Sequence, residues 1–298
     1  MIASEWRSQG WAALVFGFLA VSTSAPLFMM AHVSAYAAVF WRTAIAGVLA
    51  LGCAWLRGAL RLELLRVHAR RLLWCGLLFG AHMLLWVKAF ELTDYASNLL
   101  LLVAQPVFAA VIGAWTGDPP PPRAPALLVL STLGMALLMG GDVSLGPRAL
   151  LGDVFCILAS CLIVVFFIVA KPARNALPLD AFMGLVLLVT APLALAVALA
   201  AGVTVWPLPL ASWGFLVAIA LVTTLGGHGL LNLAANTVPL FALNLIVLLE
   251  PAFGIALGAL LFGAVVTPLQ LAGGALLGAA VLLGVQSSLR AQAPREVS

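Results

Sequence analysis

Ten apolar runs follow one another with only short connections, at roughly 11–30, 34–56, 72–91, 95–115, 125–141, 150–171, 179–201, 210–235, 239–262 and 267–288. A run of about 20 apolar residues matches the hydrocarbon thickness of a bilayer. Only 8% of the 298 residues are charged, against roughly 25% in a soluble domain, too few to cover a water-facing surface. The sequence therefore predicts an all-α integral membrane protein with ten transmembrane helices. Trp11 to Val21 followed by Ser22-Thr23-Ser24-Ala25 has the outline of a signal peptide. The apolar run continues to Met30, however, and a retained first helix suits the charge pattern better. The breakers Asp118 to Pro122, Asp142 to Pro147, Lys171-Pro172, Pro207 and Pro209 separate most runs, and Pro119–Pro122 is expected to be a stiff, non-helical connector.

Charge sets the expected topology. Arg7, the loop after run 2 (Arg57, Arg61, Arg66, Arg70, Arg71), Arg123, Lys171, Arg174, Arg290 and Arg295 all fall on one side when loops alternate. That is eleven of the fourteen basic residues. The other side has Lys88 and Arg148 with Glu91, Asp94 and Asp142, and Arg42 lies inside run 2. Cytoplasmic loops are the basic ones, so both termini are expected in the cytoplasm.

The chain also repeats itself. Gly80-Ala-His82-Met-Leu84-Leu85 matches Gly226-Gly-His228-Gly-Leu230-Leu231 at an offset of 146 residues. The same offset relates Ser34-Ala35-Tyr36 to Asp180-Ala181-Phe182, and Asn98-Leu99 to Asn244-Leu245. With one residue deleted, Gln105-Pro106-Val107-Phe108 matches Glu250-Pro251-Ala252-Phe253. Leu133-Gly134-Met135-Ala136-Leu137-Leu138 resembles Ala272-Gly273-Gly274-Ala275-Leu276-Leu277. The repeats are expected over 1–141 and 149–288, with a cytoplasmic tail at 289–298. Five spans per half force the halves to enter from opposite sides. Inverted repeats of this kind build secondary transporters, with substrate bound near mid-membrane.

Polar side chains are costly in hydrocarbon and mark candidate sites. His228, Asn232 and Asn236 stand at i, i+4 and i+8, within about 80° of one another on one helix face. They are read as substrate-binding residues, able to hydrogen-bond a zwitterion, or else as glue between helices. His82 and Trp86 are one turn apart and pair an ionisable ring with a broad apolar face. Asn98 and Gln105, seven apart, share a face. Pro106 frees the carbonyl of Leu102, and Pro251 that of Val247, so each Gln/Glu-Pro pair offers a polar site and a place to bend. Glu250 is a candidate proton carrier, because hydrocarbon disfavours a bare carboxylate; pairing with Arg42 or capping the cavity are the other readings. Arg42 is a candidate gating residue or carboxylate ligand. The glycine pairs Gly76/Gly80, Gly113/Gly117, Gly254/Gly258 and Gly274/Gly278 read as close helix packing.

Phe40-Trp41-Arg42-Thr43-Ala44-Ile45-Ala46, the stretch from Leu92-Thr93-Asp94-Tyr95-Ala96 to Gln105-Pro106-Val107-Phe108, Gly152-Asp153, Leu249-Glu250-Pro251 and the closing run Thr267 to Gly284 follow in order along nearly the whole chain. In that order and spacing the chain resembles the drug/metabolite transporter (DMT) superfamily, in particular its ten-helix EamA-type family. It departs from the pattern at Gly263-Ala264, where an acidic residue is common, and in lacking a tryptophan in span 6. The histidine in span 3 is most similar to the YddG-type exporters of aromatic and other amino acids. The resemblance implies a central cavity, alternating access and export of small metabolites, from the cytoplasm of a bacterium across its inner membrane.

The expected function is thus a secondary transporter exporting amino acids, neutral or aromatic. Its partners are a small-molecule substrate and the lipid bilayer, without nucleic acid. One alternative is an exchanger of phosphorylated or nucleotide-linked metabolites on the same fold. That would need clustered cations, where the spans hold only Arg42 and Lys88. The other is an intramembrane enzyme, which would need a nucleophile with its base or a metal constellation. The sequence has no HExxH or GxSxG pattern, and its four cysteines lie in apolar runs without a CxxC pair. No catalytic residue, metal or cofactor is expected. No phosphate loop is present, so ATP hydrolysis is not expected to drive transport.

Overall fold

The structure is a computed structural model, and it describes residues 2–93, 95–140, 146–263 and 265–292. Asp94, Asp142, Arg295 and the rest of the tail beyond Gln292 lie outside the described residues, as does the junction at residue 141. Without water, every backbone N–H and C=O must find its partner inside the protein, and the helix is the single-segment solution. We label the apolar helices α1 (Gln9–Ala31), α2 (Ala35–Leu56), α3 (Leu62–Leu92), α4 (Ala96–Thr116), α5 (Ala124–Met139), α6 (Pro147–Ala176), α7 (Leu179–Ala200), α8 (Leu210–Ala234), α9 (Leu240–Leu261) and α10 (Pro268–Ala291). Among the described residues, nine of these are long and apolar enough to cross a membrane. The tenth, α5, has 16 residues. At 1.5 Å per residue it is about 24 Å long, short of the roughly 30 Å of hydrocarbon.

Three boundaries differ from the sequence reading. The arginine-rich segment after α2 is a loop only to Arg61; α3 then begins at Leu62, so Arg66, Arg70 and Arg71 ride on its first turns. Leu65 and Leu72, two turns apart, continue the inward-facing helical pattern beneath those charges, which a hydropathy window averages away. Lys171-Pro172 does not end α6, which runs on to Ala176 with Pro172 inside it. Arg174 is therefore not a loop charge. It is buried, and its side chain holds this last turn in place (below). The final helix likewise continues through Gln292. Pro119–Pro121 are non-helical, as expected of that connector.

The chain forms two compact units that cut across the repeats. One comprises residues 1–89 and 165–237, the other 90–164 and 238–298. In the first unit α2 packs along α7 and α1 along α8. Gly76 and Gly80 bring α3 onto α7: a Cβ at Gly80 would stand 2.9 Å from Leu193, one at Gly76 would collide with Val189, and Thr190 Oγ1 donates to the Gly76 carbonyl at 2.9 Å.

In the second unit α5 packs along α10 and the second half of α4 against the first turns of α9. The α5–α10 crossing is reciprocal. A Cβ on Gly134 would lie 2.8 Å from the Leu277 nitrogen and 3.1 Å from the Gly273 carbonyl oxygen. A Cβ on Gly273 would strike the Leu138 nitrogen and come within 2.7 Å of the Gly134 carbonyl oxygen. Gly134 and Gly273, and Leu138 and Leu277, are the very positions that the repeat aligns, so each helix presents the same patch to its counterpart. The expected pairs Gly254/Gly258 and Gly274/Gly278 do not make such contacts. Among the described residues nothing lies within 4 Å of a Cβ at Gly254, Gly258 or Gly278; on α10 the seam runs through Gly273 and Leu277 instead.

Gly134→Val should therefore lower stability in detergent by about 1–3 kcal/mol through overpacking against backbone. Gly278→Ala should leave it unchanged or slightly raised. Thermal unfolding followed by tryptophan fluorescence checks both, and equal losses would contradict the seam.

Candidate functional site

The buried polar chemistry of the first unit centres on α8. Its stretch Ile219–His228 is π-helical, a wider turn than the α-helices on either side. β-Branched Thr223 and Thr224 followed by Gly226-Gly227 are poor α-helix formers, which favours such an insertion. The widened turn lets Thr224 Oγ1 donate to the Ile219 carbonyl five residues back, at 3.1 Å. The same oxygen accepts from Arg42 Nε at 2.9 Å. Arg42 is 2% exposed, and its guanidinium lies 5.5 Å from the centroid of the Phe28 ring. A neutral hydroxyl and an aromatic face thus share in holding a cation inside the unit. α1 is interrupted at Thr23, and the Thr23 and Thr223 hydroxyls approach at 3.4 Å, tying that break to the same turn.

Beside this lies a ring cluster. His228 meets Phe79 edge-on, with centroids 5.1 Å apart at 83°, and Phe79 also contacts His82 at 6.3 Å and Phe166 at 5.3 Å. His82 and His228, equivalent in the repeat, so bracket one phenylalanine. Trp86, one turn beyond His82 on α3, is half-buried.

Asn232 and Asn236 belong to a different cluster. Arg174 Nε donates to Asn236 Oδ1 at 2.6 Å, Nη2 to the Ala235 carbonyl at 2.9 Å, and Nη1 to the Phe167 carbonyl at 3.2 Å and Asn232 Oδ1 at 3.5 Å. Asn232 Nδ2 donates back to the His228 carbonyl at 2.9 Å. Pro172 lacks an N–H, which leaves the Ile168 carbonyl without its helix donor and opens the α6 backbone there. Arg174 reaches into that opening and across to the end of α8, fastening two helix ends. The two asparagines expected to face substrate thus serve Arg174 here.

The remaining expected residues fall in the second unit. Asn98 is fully buried, and its backbone and side-chain oxygens accept from Cys156 Sγ at 3.1 and 3.5 Å. Gln105 and Pro106 open the second half of α4, which follows a 3₁₀ turn at Leu101–Val103. Glu250 and Pro251 open the second half of α9, Glu250–Phe262, after a break at residues 248–249. Both spans are therefore broken at matching places, with the polar side chain in the first turn of the new helix. A carboxylate there is favoured by the helix dipole. Asp118 Oδ2 accepts from the Leu240 nitrogen at 2.7 Å and fixes the start of α9.

Sequence reasoning missed Thr224, Phe28, Phe79 and Arg174. The Thr-Thr-x-Gly-Gly run was a visible sign for the first. Nothing local marked the rings as neighbours or Arg174 as buried.

The pattern of the EamA-like transporter family matches residues 7–140 and again 150–285. The chain belongs to this family. Its members are transporters, so the protein is a multi-pass membrane transporter of small molecules with the two-repeat architecture. A protein of known crystal structure shares the fold with a TM-score of 0.78 at 18% identity, over 97% of this chain and 99% of that one. Among curated proteins none matches in sequence.

Arg174→Ala should cost about 1–3 kcal/mol by orphaning buried acceptors. The double variant with Asn236→Ala should lose less than the sum of the two single variants. Unfolding in detergent measures the coupling, and strict additivity would rule out the clamp.

Proposed function

We propose that this EamA-family transporter exports neutral or aromatic amino acids by alternating access across the bacterial inner membrane, with both termini in the cytoplasm. What carries the reading is the juxtaposition in one unit of a buried guanidinium, Arg42, with the rings of Phe79, His82 and His228. A guanidinium suits a carboxylate, and ring faces and edges suit an apolar or aromatic side chain. Arg42 Nε donates to an uncharged hydroxyl, that of Thr224, which positions the guanidinium beside the rings. The matched breaks in α4 and α9 supply bending points for a change of access. Glu250, at the α9 break, is the residue we assign to proton coupling, should transport depend on a pH gradient.

Counterflow of labelled amino acids into proteoliposomes tests this, with and without a pH gradient and beside labelled sugar phosphates. Saturable uptake of aromatic or neutral amino acids is expected. Thr224→Val keeps the side-chain volume but removes the hydroxyl that positions Arg42, so it should cut uptake about tenfold or more while the protein stays folded. A tenfold loss corresponds to roughly 1.4 kcal/mol, close to the lower end for one hydrogen bond to a charge. Glu250→Gln should abolish any dependence on the gradient. Uptake of phosphorylated compounds alone would replace this reading with the exchanger.

A further inference from the structure

The basic end of α3 has more structure than a topology signal requires. With 31 residues α3 is about 46 Å long, some 16 Å more than the hydrocarbon it crosses. The surplus must stand in the headgroup layer. The Leu62 end carries Arg66, Arg70 and Arg71, and Trp74 follows one turn later, the placement of an interfacial anchor. A cavity of about 390 Å³ lies here, lined by Val67, Arg70, Arg71 and Trp74 of α3 and by Val169 of α6. All five belong to the first unit. Both arginines are exposed, and among the described residues neither makes a hydrogen bond or ion pair. Lys171, two residues beyond Val169, is exposed as well.

We propose that this cavity is a binding site for one anionic phospholipid. The two guanidiniums take the phosphodiester, for which their planar forks are suited. Val67, Val169 and the Trp74 indole take the glycerol and the first methylenes of the acyl chains. The apolar walls, at the edge of the hydrocarbon, distinguish a lipid from a soluble phosphate compound, which would leave them wet. The bound lipid would hold α3 to α6 at the same surface from which α3 continues to Phe79 and His82.

Native mass spectrometry of the detergent-solubilised protein, titrated with phosphatidylglycerol, cardiolipin or phosphatidylcholine, tests the site. The wild type is expected to retain one anionic lipid in preference to phosphatidylcholine. Each basic residue near an anionic surface contributes about fivefold, so Arg70→Gln with Arg71→Gln should weaken retention roughly thirtyfold. Arg61→Gln, in the loop before α3, should change it little. Val169→Glu keeps both arginines but faces the headgroup with a like charge, and should also lose the lipid. Unfolding without lipid, unchanged in all variants, separates lost binding from lost fold. The proposal is overturned if Arg61→Gln loses as much as the double variant, since the charge would then act diffusely. It is equally overturned if both cavity variants bind as the wild type does, or if inorganic phosphate protects against unfolding as well as the lipid.

Discussion

The structure depends on one constraint: a backbone polar group in hydrocarbon must be satisfied from within the protein. Ten apolar runs answer it as helices, and three departures from regular helix are met by named side chains. The π-helical turn of α8 is stitched by Thr224 to the Ile219 carbonyl. The Phe167 carbonyl, one turn before Pro172, accepts from Arg174. The start of α9 is held by Asp118. Irregular backbone at membrane depth is tolerated only where protein or a cavity lines it, so these places are also where a substrate or a moving element finds polar groups. The site follows from the exceptions to the rule that makes the fold.

Close approach of helices is the second requirement, because lipid gives apolar side chains no reason to prefer each other. Small residues meet it. Gly76 and Gly80 admit α7 against α3, and Gly134 and Gly273 admit α10 against α5. The latter pair also says something about the repeat: two sequence-equivalent glycines, each seated on the other's backbone, make a self-complementary contact of the kind a two-fold relation generates. The halves are thus related in packing as well as in sequence.

Much of this was legible in the sequence. Apolar run length gave the helices, because hydrocarbon thickness is a fixed ruler. The offset of 146 residues matched His82 with His228, and the resemblance of 133–138 to 272–277 matched Gly134 with Gly273, because equivalent positions in a two-fold fold meet equivalent surroundings. The Gln/Glu-Pro pairs marked the breaks in α4 and α9, since a missing N–H is written in the residue name. What was not legible depends on tertiary contact. Arg174, beside a lysine and a proline, looks like any loop arginine; only the carbonyl of Ala235 and the amide of Asn236, some sixty residues away, make it a buried clamp. The glycines of the α10 seam were misassigned by one residue, because a run of Gly273-Gly274 gives periodicity no way to choose the contact face. A π-helix has no sequence period of its own and was read as plain helix.

The repeat also shows where the halves have diverged. At the same offset the counterpart of Arg42 is Leu188, and that of Arg174 is Phe28, the ring over which Arg42 lies. Gln105 is matched by Glu250. The features the halves share, namely the glycine seam, the broken spans and the buried Asn98 and Asn244, are those any two-fold scaffold of this kind must have to pack and to bend. The features they do not share are the charges. An inverted repeat with identical halves presents the same chemistry to both sides of the membrane and cannot by its own structure favour one direction. Two buried cations in one unit, without counterparts, and one carboxylate where the other half has an amide, make the two halves chemically unequal. In the function we propose, substrate recognition and coupling draw on that inequality, through Arg42 and Glu250.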